Sequence, residues 1–212
     1  MAYVALLGDS IFDNAAYTRG GPAVIAQVQE RLPRGWRATL AAVDGAVTRD
    51  VPRQCSALAA DVTHLVLSVG GNDALGHAGI LGLRVTSANQ AFLALEAAIR
   101  GFAQEYERTL AVLLKRALPL TVCTIYRGHF PEADYQRAAS VALAAFNDAV
   151  LESAVMHGLD VIDLRSICSQ PEDYANPIEP SSVGGAKIAA AIVRAIALPH
   201  ERDVTRLLGP SK

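Results

Sequence analysis

The chain has 212 residues, 51% of them hydrophobic and 19% charged, which fits one domain with a sizeable core and excludes an intrinsically disordered chain. Its net charge of -2 supplies no field to gather nucleic acid or an anionic membrane, and no stretch approaches the roughly 18 uninterrupted apolar residues of a membrane span. The opening residues lack the basic, apolar and cleavage regions of a secretion signal, and Cys55, Cys123 and Cys168 are too widely spaced for a disulfide framework or a zinc site, so a cytoplasmic domain acting on a small molecule is expected.

Tyr3 to Leu7 is a short apolar run that stops at Gly8-Asp9-Ser10, the pattern of a buried strand emptying into a loop. Pro22 opens a segment with Val24, Ile25, Val28 and Leu32 at helical spacing, and Pro33 ends it. Arg37 to Val43 reads as a second strand, with the turn signal Asp44-Gly45 beyond it; Arg49 to Ala59 is a weaker helix. His64 to Val69 is a third strand and runs into Gly70-Gly71-Asn72-Asp73. The segment 74–86 carries Leu75, Ile80, Leu81, Leu83 and Val85 among three glycines, too apolar for an ordinary surface loop, and reads either as a pocket cover or as core packing. Ser87 and Gln90 have capping-box spacing, after which Phe92, Leu95, Ile99, Phe102, Tyr106, Leu110 and Leu113 mark a long helix. Leu120 to Ile125 forms a fourth strand, Ala133 to His157 a helix ended by Gly158, Val161 to Leu164 a fifth strand, and Val183 to Ile196 a last helix.

Strands alternating with helices at this spacing require right-handed crossovers and a parallel sheet covered on both faces. The expected fold is a three-layer α/β/α domain over residues 1–198 with a five-stranded, flavodoxin-like parallel sheet, followed by a loosely attached tail, 199–212. Ligands in such sheets bind beyond the carboxyl ends of the strands, so the corners holding Ser10, Gly45, Asn72 and the 126–130 segment should converge on one crevice.

A serine hydroxyl attacks a carbonyl only when a base takes its proton and fixed donors receive the charge on oxygen. Ser10 is the candidate nucleophile. Its own N–H, the Gly45 N–H and the Asn72 amide are the candidate donors, glycine allowing close backbone approach and asparagine offering hydrogens that aspartate lacks. Gly8-Asp9-Ser10-Ile11, Asp44-Gly45 and Gly70-Gly71-Asn72-Asp73, in this order on successive strand ends, resemble the first three blocks of the GDSL or SGNH hydrolases, with Ile11 where the eponymous motif has Leu. The resemblance spans about Tyr3 to Ile196. It implies the SGNH hydrolase fold and cleavage of small acyl esters, thioesters or acetylated carbohydrates without a cofactor.

The family's fourth block, Asp-x-x-His ahead of the last helix, supplies the base and its orienter. Here that place reads Asn176-Pro177-Ile178-Glu179-Pro180, so Glu179 stands for the base and Asn176 for the orienter. An ordinary glutamate, with a pKa near 4.3 against about 6.5 for histidine, is about 3 kcal/mol weaker as a proton acceptor. Burial among apolar neighbours would narrow that gap. His129, beyond the fourth strand, and His77, after Asn72, are alternative bases on the same sheet edge; His64, His157 and His200 are poorly placed. Asp9 and Asp13 flank Ser10 as loop-fixing or solvated carboxylates and give no metal signal.

Two rival readings keep the fold and change the function. One is an SGNH domain that has lost its base and binds an ester-like or carbohydrate ligand. The other is a mononucleotide binder, disfavoured because Asp9 and Asp13 would repel a phosphate at the first corner.

Overall fold

The computed structural model describes residues 2–199 and 204–210. His200 and the remainder of 200–203, Met1, and 211–212 lie outside the described residues. Strands β1 (Tyr3–Gly8), β2 (Arg37–Leu40), β3 (His64–Ser68), β4 (Leu120–Cys123), β5 (Asp160–Ile162) and β6 (Leu207–Leu208) form one parallel sheet in the order β2-β1-β3-β4-β5-β6. Side chains alternate across it: Val4, Leu6 and Val66 enter one core, and Ala5, Leu7, Leu65 and Leu67 the other. Helices α1 (Val24–Arg31), α6 (Leu164–Ile167) and α7 (Ser182–Ala197) cover the first face. Helices α2 (Val51–Ser56), α4 (Ala88–Leu114) and α5 (Ala133–Met156) cover the second, where Phe102, Tyr106, Phe146 and Val150 are buried. Helix α3 (Gly71–Gly76) follows β3 directly. By length and composition α5 could cross a membrane, but here it lines the core with Phe146, Val150 and Ala154.

The three-layer architecture is as expected, with one strand more. The sheet has six strands rather than five because residues 204–210, part of the expected loose tail, dock along β5. Val161 N–H donates to the Arg206 carbonyl at 2.8 Å and Asp163 N–H to that of Leu208 at 2.9 Å. The Asp160 carboxylate receives the Arg206 guanidinium in a two-pronged pair at 2.8 and 2.6 Å. Two strand residues are too few to show periodicity, so composition could not announce them.

Smaller differences have local causes. Strand β2 ends at Leu40 rather than Val43 because the N–H groups of Ala41 and Ala42 both donate to the Leu6 carbonyl, at 2.8 and 2.9 Å, which breaks the ladder as a bulge does. Gln90 does not close a box with Ser87; its side-chain oxygen accepts from the Thr86 N–H at 2.9 Å. Chain order and strand order diverge at β1, which lies between β2 and β3. This is the switch point where parallel sheets open a crevice at their carboxyl edge, and Ser10 follows β1 there.

Candidate active site

The first corner is built on glycine. Gly8 has φ +126°, and a Cβ on it would lie 1.7 Å from the Ser68 carbonyl oxygen at the end of β3, so only glycine fits. Gln54, buried on α2, brackets the same residue: Gly8 N–H donates to its Oε1 and its Nε2 donates to the Gly8 carbonyl, each at 2.8 Å. Asp9 N–H then donates to Ser68 O, and the amides of Phe12 and Asp13 return to Asp9 O. The turn leaves Ser10 5% exposed.

Glu179 reaches this corner from the loop before α7. It is 6% exposed and lines the pocket beside Ser10, whose hydroxyl is near enough to lower its proton affinity. One carboxylate oxygen, Oε2, is buried without a hydrogen-bond partner. Burial pushes the Glu179 carboxyl up to about 6, the Ser10 hydroxyl opposing the rise and the charge of Asp44 adding to it. Asn176 does not touch that carboxylate. Its Oδ1 accepts the backbone N–H groups of Ile178 and Glu179, both at 2.9 Å, so it orients the loop rather than the side chain. Ala175 N–H to Glu179 O and Tyr126 O–H to Ile178 O tie the loop to itself and to the segment after β4.

The other corners are tied to the first. Asn72, on α3, donates one amide hydrogen to the Ala46 carbonyl at 2.9 Å. Asp73 accepts from both the N–H and the hydroxyl of Thr48 at 3.0 Å, and Asp13 accepts the Asp44 N–H at 3.0 Å. Gly45, at φ +78° between the tethered Asp44 and Ala46, is exposed and lies outside the lining of the pocket beside Ser10, whereas Asn72 lines it. His77 also lines the pocket, its ring 6.5 Å from that of Phe146. His129 is turned away and stacks on Tyr174 with ring centroids 6.0 Å apart. Among the described residues no cluster of His, Cys, Asp or Glu is arranged to hold a metal.

Asp9 is not the solvated carboxylate that its place in a polar turn allowed. It is 3% exposed, faces the pocket, and accepts the Ile11 N–H at 3.1 Å. Burial raises its carboxyl to about 8, against the Ile11 bond and with help from Glu179 and Asp73. At neutral pH it is therefore mainly a neutral acid beside an ionised Glu179.

From Ser10 the pocket runs between the 74–82 segment and α5, walled by Ile80, Leu95, Ile125, Leu143 and Phe146. Those apolar walls make one side of the serine suited to hydrocarbon, while Asn72 and Glu179 supply polar groups at its end.

The sequence profile of the GDSL-like lipase/acylhydrolase family matches residues 6–184, from β1 into α7. The chain belongs to this family. Its activity class is accordingly carboxylic ester hydrolysis. No curated protein matches the sequence. Among solved structures, an extracellular lipase from Streptomyces rimosus is 16% identical with a TM-score of 0.67, 93% of this chain covering 99% of that one. A lipase from a goat rumen metagenome is 16% identical with a TM-score of 0.72, over 92% and 97% of the two chains. A carbohydrate acetylesterase from Sinorhizobium meliloti is 12% identical with a TM-score of 0.65, over 93% and 99%. At such identities these neighbours establish a shared fold.

Within this GDSL-family site, Gln54 and Asp9 are the residues that reading along the chain undervalued. Gln54 lies 46 positions from the glycine it brackets, and nothing in its own helix marks it. Asp9 stood in plain view beside Ser10, but its burial depends on the third corner closing over it.

Proposed function

We propose that Ser10 is an acyl-accepting nucleophile activated by Glu179, and that the ester carries an apolar acyl group in the pocket between the 74–82 segment and α5. The observation that carries this reading is that Ser10 and the buried carboxylate of Glu179, raised to about 6 yet held down by the serine hydroxyl, line one end of the same pocket. Against histidine's usual 6.5 the remaining deficit in basicity is under about 1 kcal/mol, compared with about 3 for an ordinary glutamate. Burial thus supports what the residue type alone would deny.

In the acylation step Ser10 Oγ bonds to the ester carbonyl carbon while its proton passes to Glu179, and the carbonyl oxygen becomes an oxyanion. The Asn72 hydrogen not given to Ala46, together with the Ser10 N–H, would receive that charge. Collapse of the tetrahedral adduct breaks the bond to the alcohol oxygen, which takes the proton from Glu179. A water then gives a proton to Glu179 and attacks the acyl-serine; the bond from the acyl carbon to Ser10 Oγ breaks, Oγ takes that proton from Glu179, and the acid leaves. Asn176 acts through the backbone of Glu179 as a positioning residue. The apolar lining favours an acyl chain over an acetylated sugar, whose hydroxyls would find few partners there.

Purified protein is tested with a dissolved p-nitrophenyl ester series and a serine-directed phosphonate, beside Ser10→Ala. Turnover and labelling at Ser10, both lost in Ser10→Ala, with preference rising from acetyl to butyryl and longer chains, are expected. If the wild type neither turns over nor labels, the domain binds without catalysis and the proposal fails.

A further inference from the structure

The wall of the pocket continues onto the outside of the protein. Leu75 and Leu81 line the pocket and are each 37% exposed. Leu83, Val85, Phe92 and Leu93 follow as exposed apolar side chains, Phe92 at 66% and Leu93 at 58%. Phe92 precedes Leu95, a pocket residue, by three positions on α4, so both lie on one side of that helix. Gly76, Gly79 and Gly82 have no atom within 4 Å of where a Cβ would stand, so the large side chains project over open, low ground. Between Asp73 and Glu96 the chain carries Arg84 as its single formal charge and no acid. In a protein with 19% charged residues this stretch is poor in charge, its exposed polar residues Thr86, Ser87, Asn89 and Gln90 being all neutral.

We propose that this face, from Leu75 to Leu93, seats the protein on a lipid–water surface, so that an acyl chain passes from the lipid into the pocket. This rests on the ester-hydrolase reading of Ser10. The location of the pocket mouth favours lipid over protein as the occupant. A second copy or a protein partner on Leu75 and Leu81 would stopper the pocket, whereas a lipid surface presents the ester at its opening. The absence of acids removes repulsion from phosphate headgroups, and Arg84 adds a weak attraction. Docking of this kind is driven by apolar area, which the small net charge of the whole chain does not oppose.

The test uses vesicles of phosphatidylcholine with a minor fraction of phosphatidylglycerol, and Ser10→Ala protein, so that docking is scored apart from hydrolysis. Ser10→Ala is expected to sediment with the vesicles. Adding Phe92→Ser and Leu93→Ser should lower partitioning about tenfold or more, since two large apolar side chains lose their transfer into lipid. In the Ser10 background the same pair should leave turnover of a dissolved butyrate ester within about twofold and the melting temperature near the wild type's, because neither residue is in the core. No sedimentation with vesicles, or equal sedimentation of the double variant, overturns the proposal. So does a dimer in sedimentation equilibrium that the pair dissociates, which would show that a second copy covers the face. Docking that persists while dissolved ester is not hydrolysed refutes the Ser10 reading and leaves the surface standing.

Discussion

Glu179→Gln keeps the shape of the side chain and an acceptor for the Ser10 hydroxyl while removing the charge and the base. In the folded protein the carboxyl sits at about 6 against an ordinary 4.5, so its ionised form is disfavoured by about 2 kcal/mol relative to the unfolded chain. At 6% exposure little of this is screened by solvent. Below the unfolded value both states hold the proton and there is no penalty. As pH rises from 4.5 to about 6 the unfolded chain loses its proton first, so wild-type stability falls, and above the folded value the penalty is constant. Glutamine never bears it. The variant should therefore melt about 4–8 °C above the wild type near pH 8, and the two should converge near pH 4. Activity should move the other way, with kcat/KM on a dissolved ester falling about 10²- to 10⁴-fold. The wild type's rate should decline below about pH 6, and the variant should lose that limb. Initial rates and thermal melts across pH measure both. A variant that retains its rate, gains nothing near pH 8, or gains equally near pH 4 would refute the reasoning.

Asp9→Asn retains the acceptor for Ile11 but has no proton to hold. Since the Asp9 carboxyl is raised from 3.8 to about 8, wild-type stability is lost progressively as pH climbs between those values; melts should show the Asn variant's advantage growing over that window and flat beyond it. His77→Ala and His129→Ala should keep the decline below about pH 6, and a loss of about 10²-fold in kcat for either would reassign the base. Asn176→Ala removes the acceptor of two backbone N–H groups and should cost about 1–2 kcal/mol in urea unfolding with a fall in kcat, while Asn176→Asp, which keeps the acceptor, should recover most of the stability.

Much of this molecule could be read along the chain because its signals are local. Tyr3 to Leu7 announce a buried strand by composition, Gly8 the turn that stops it, and the Leu95, Ile99, Phe102, Tyr106 series a helix by its spacing. Ser10 beyond β1 and Asn72 beyond β3 meet in one pocket because a parallel sheet delivers those strand ends to one edge, while Gly45 beyond β2 stays outside its lining. Asn176 shows where such reading stops. Its spacing to Glu179 put the two together, but spacing does not distinguish a contact with a carboxylate from one with the backbone N–H that precedes it.

Tertiary structure decided the quantities that depend on surroundings. A carboxyl's proton affinity follows from how much water the fold removes, so neither the about 6 of Glu179 nor the about 8 of Asp9 is a property of its neighbours in sequence. Gln54 gained its part by meeting Gly8 across the sheet, and Leu207–Leu208 became a strand because Asp160 was there to hold Arg206. The amino-acid sequence by itself determined five of the six strands, the long helices, the family and the serine just beyond β1, since those depend on periodicity and short-range turns. Which groups share that serine's proton, and which apolar side chains wall a pocket or face outward, arose only when distant segments excluded water from one another.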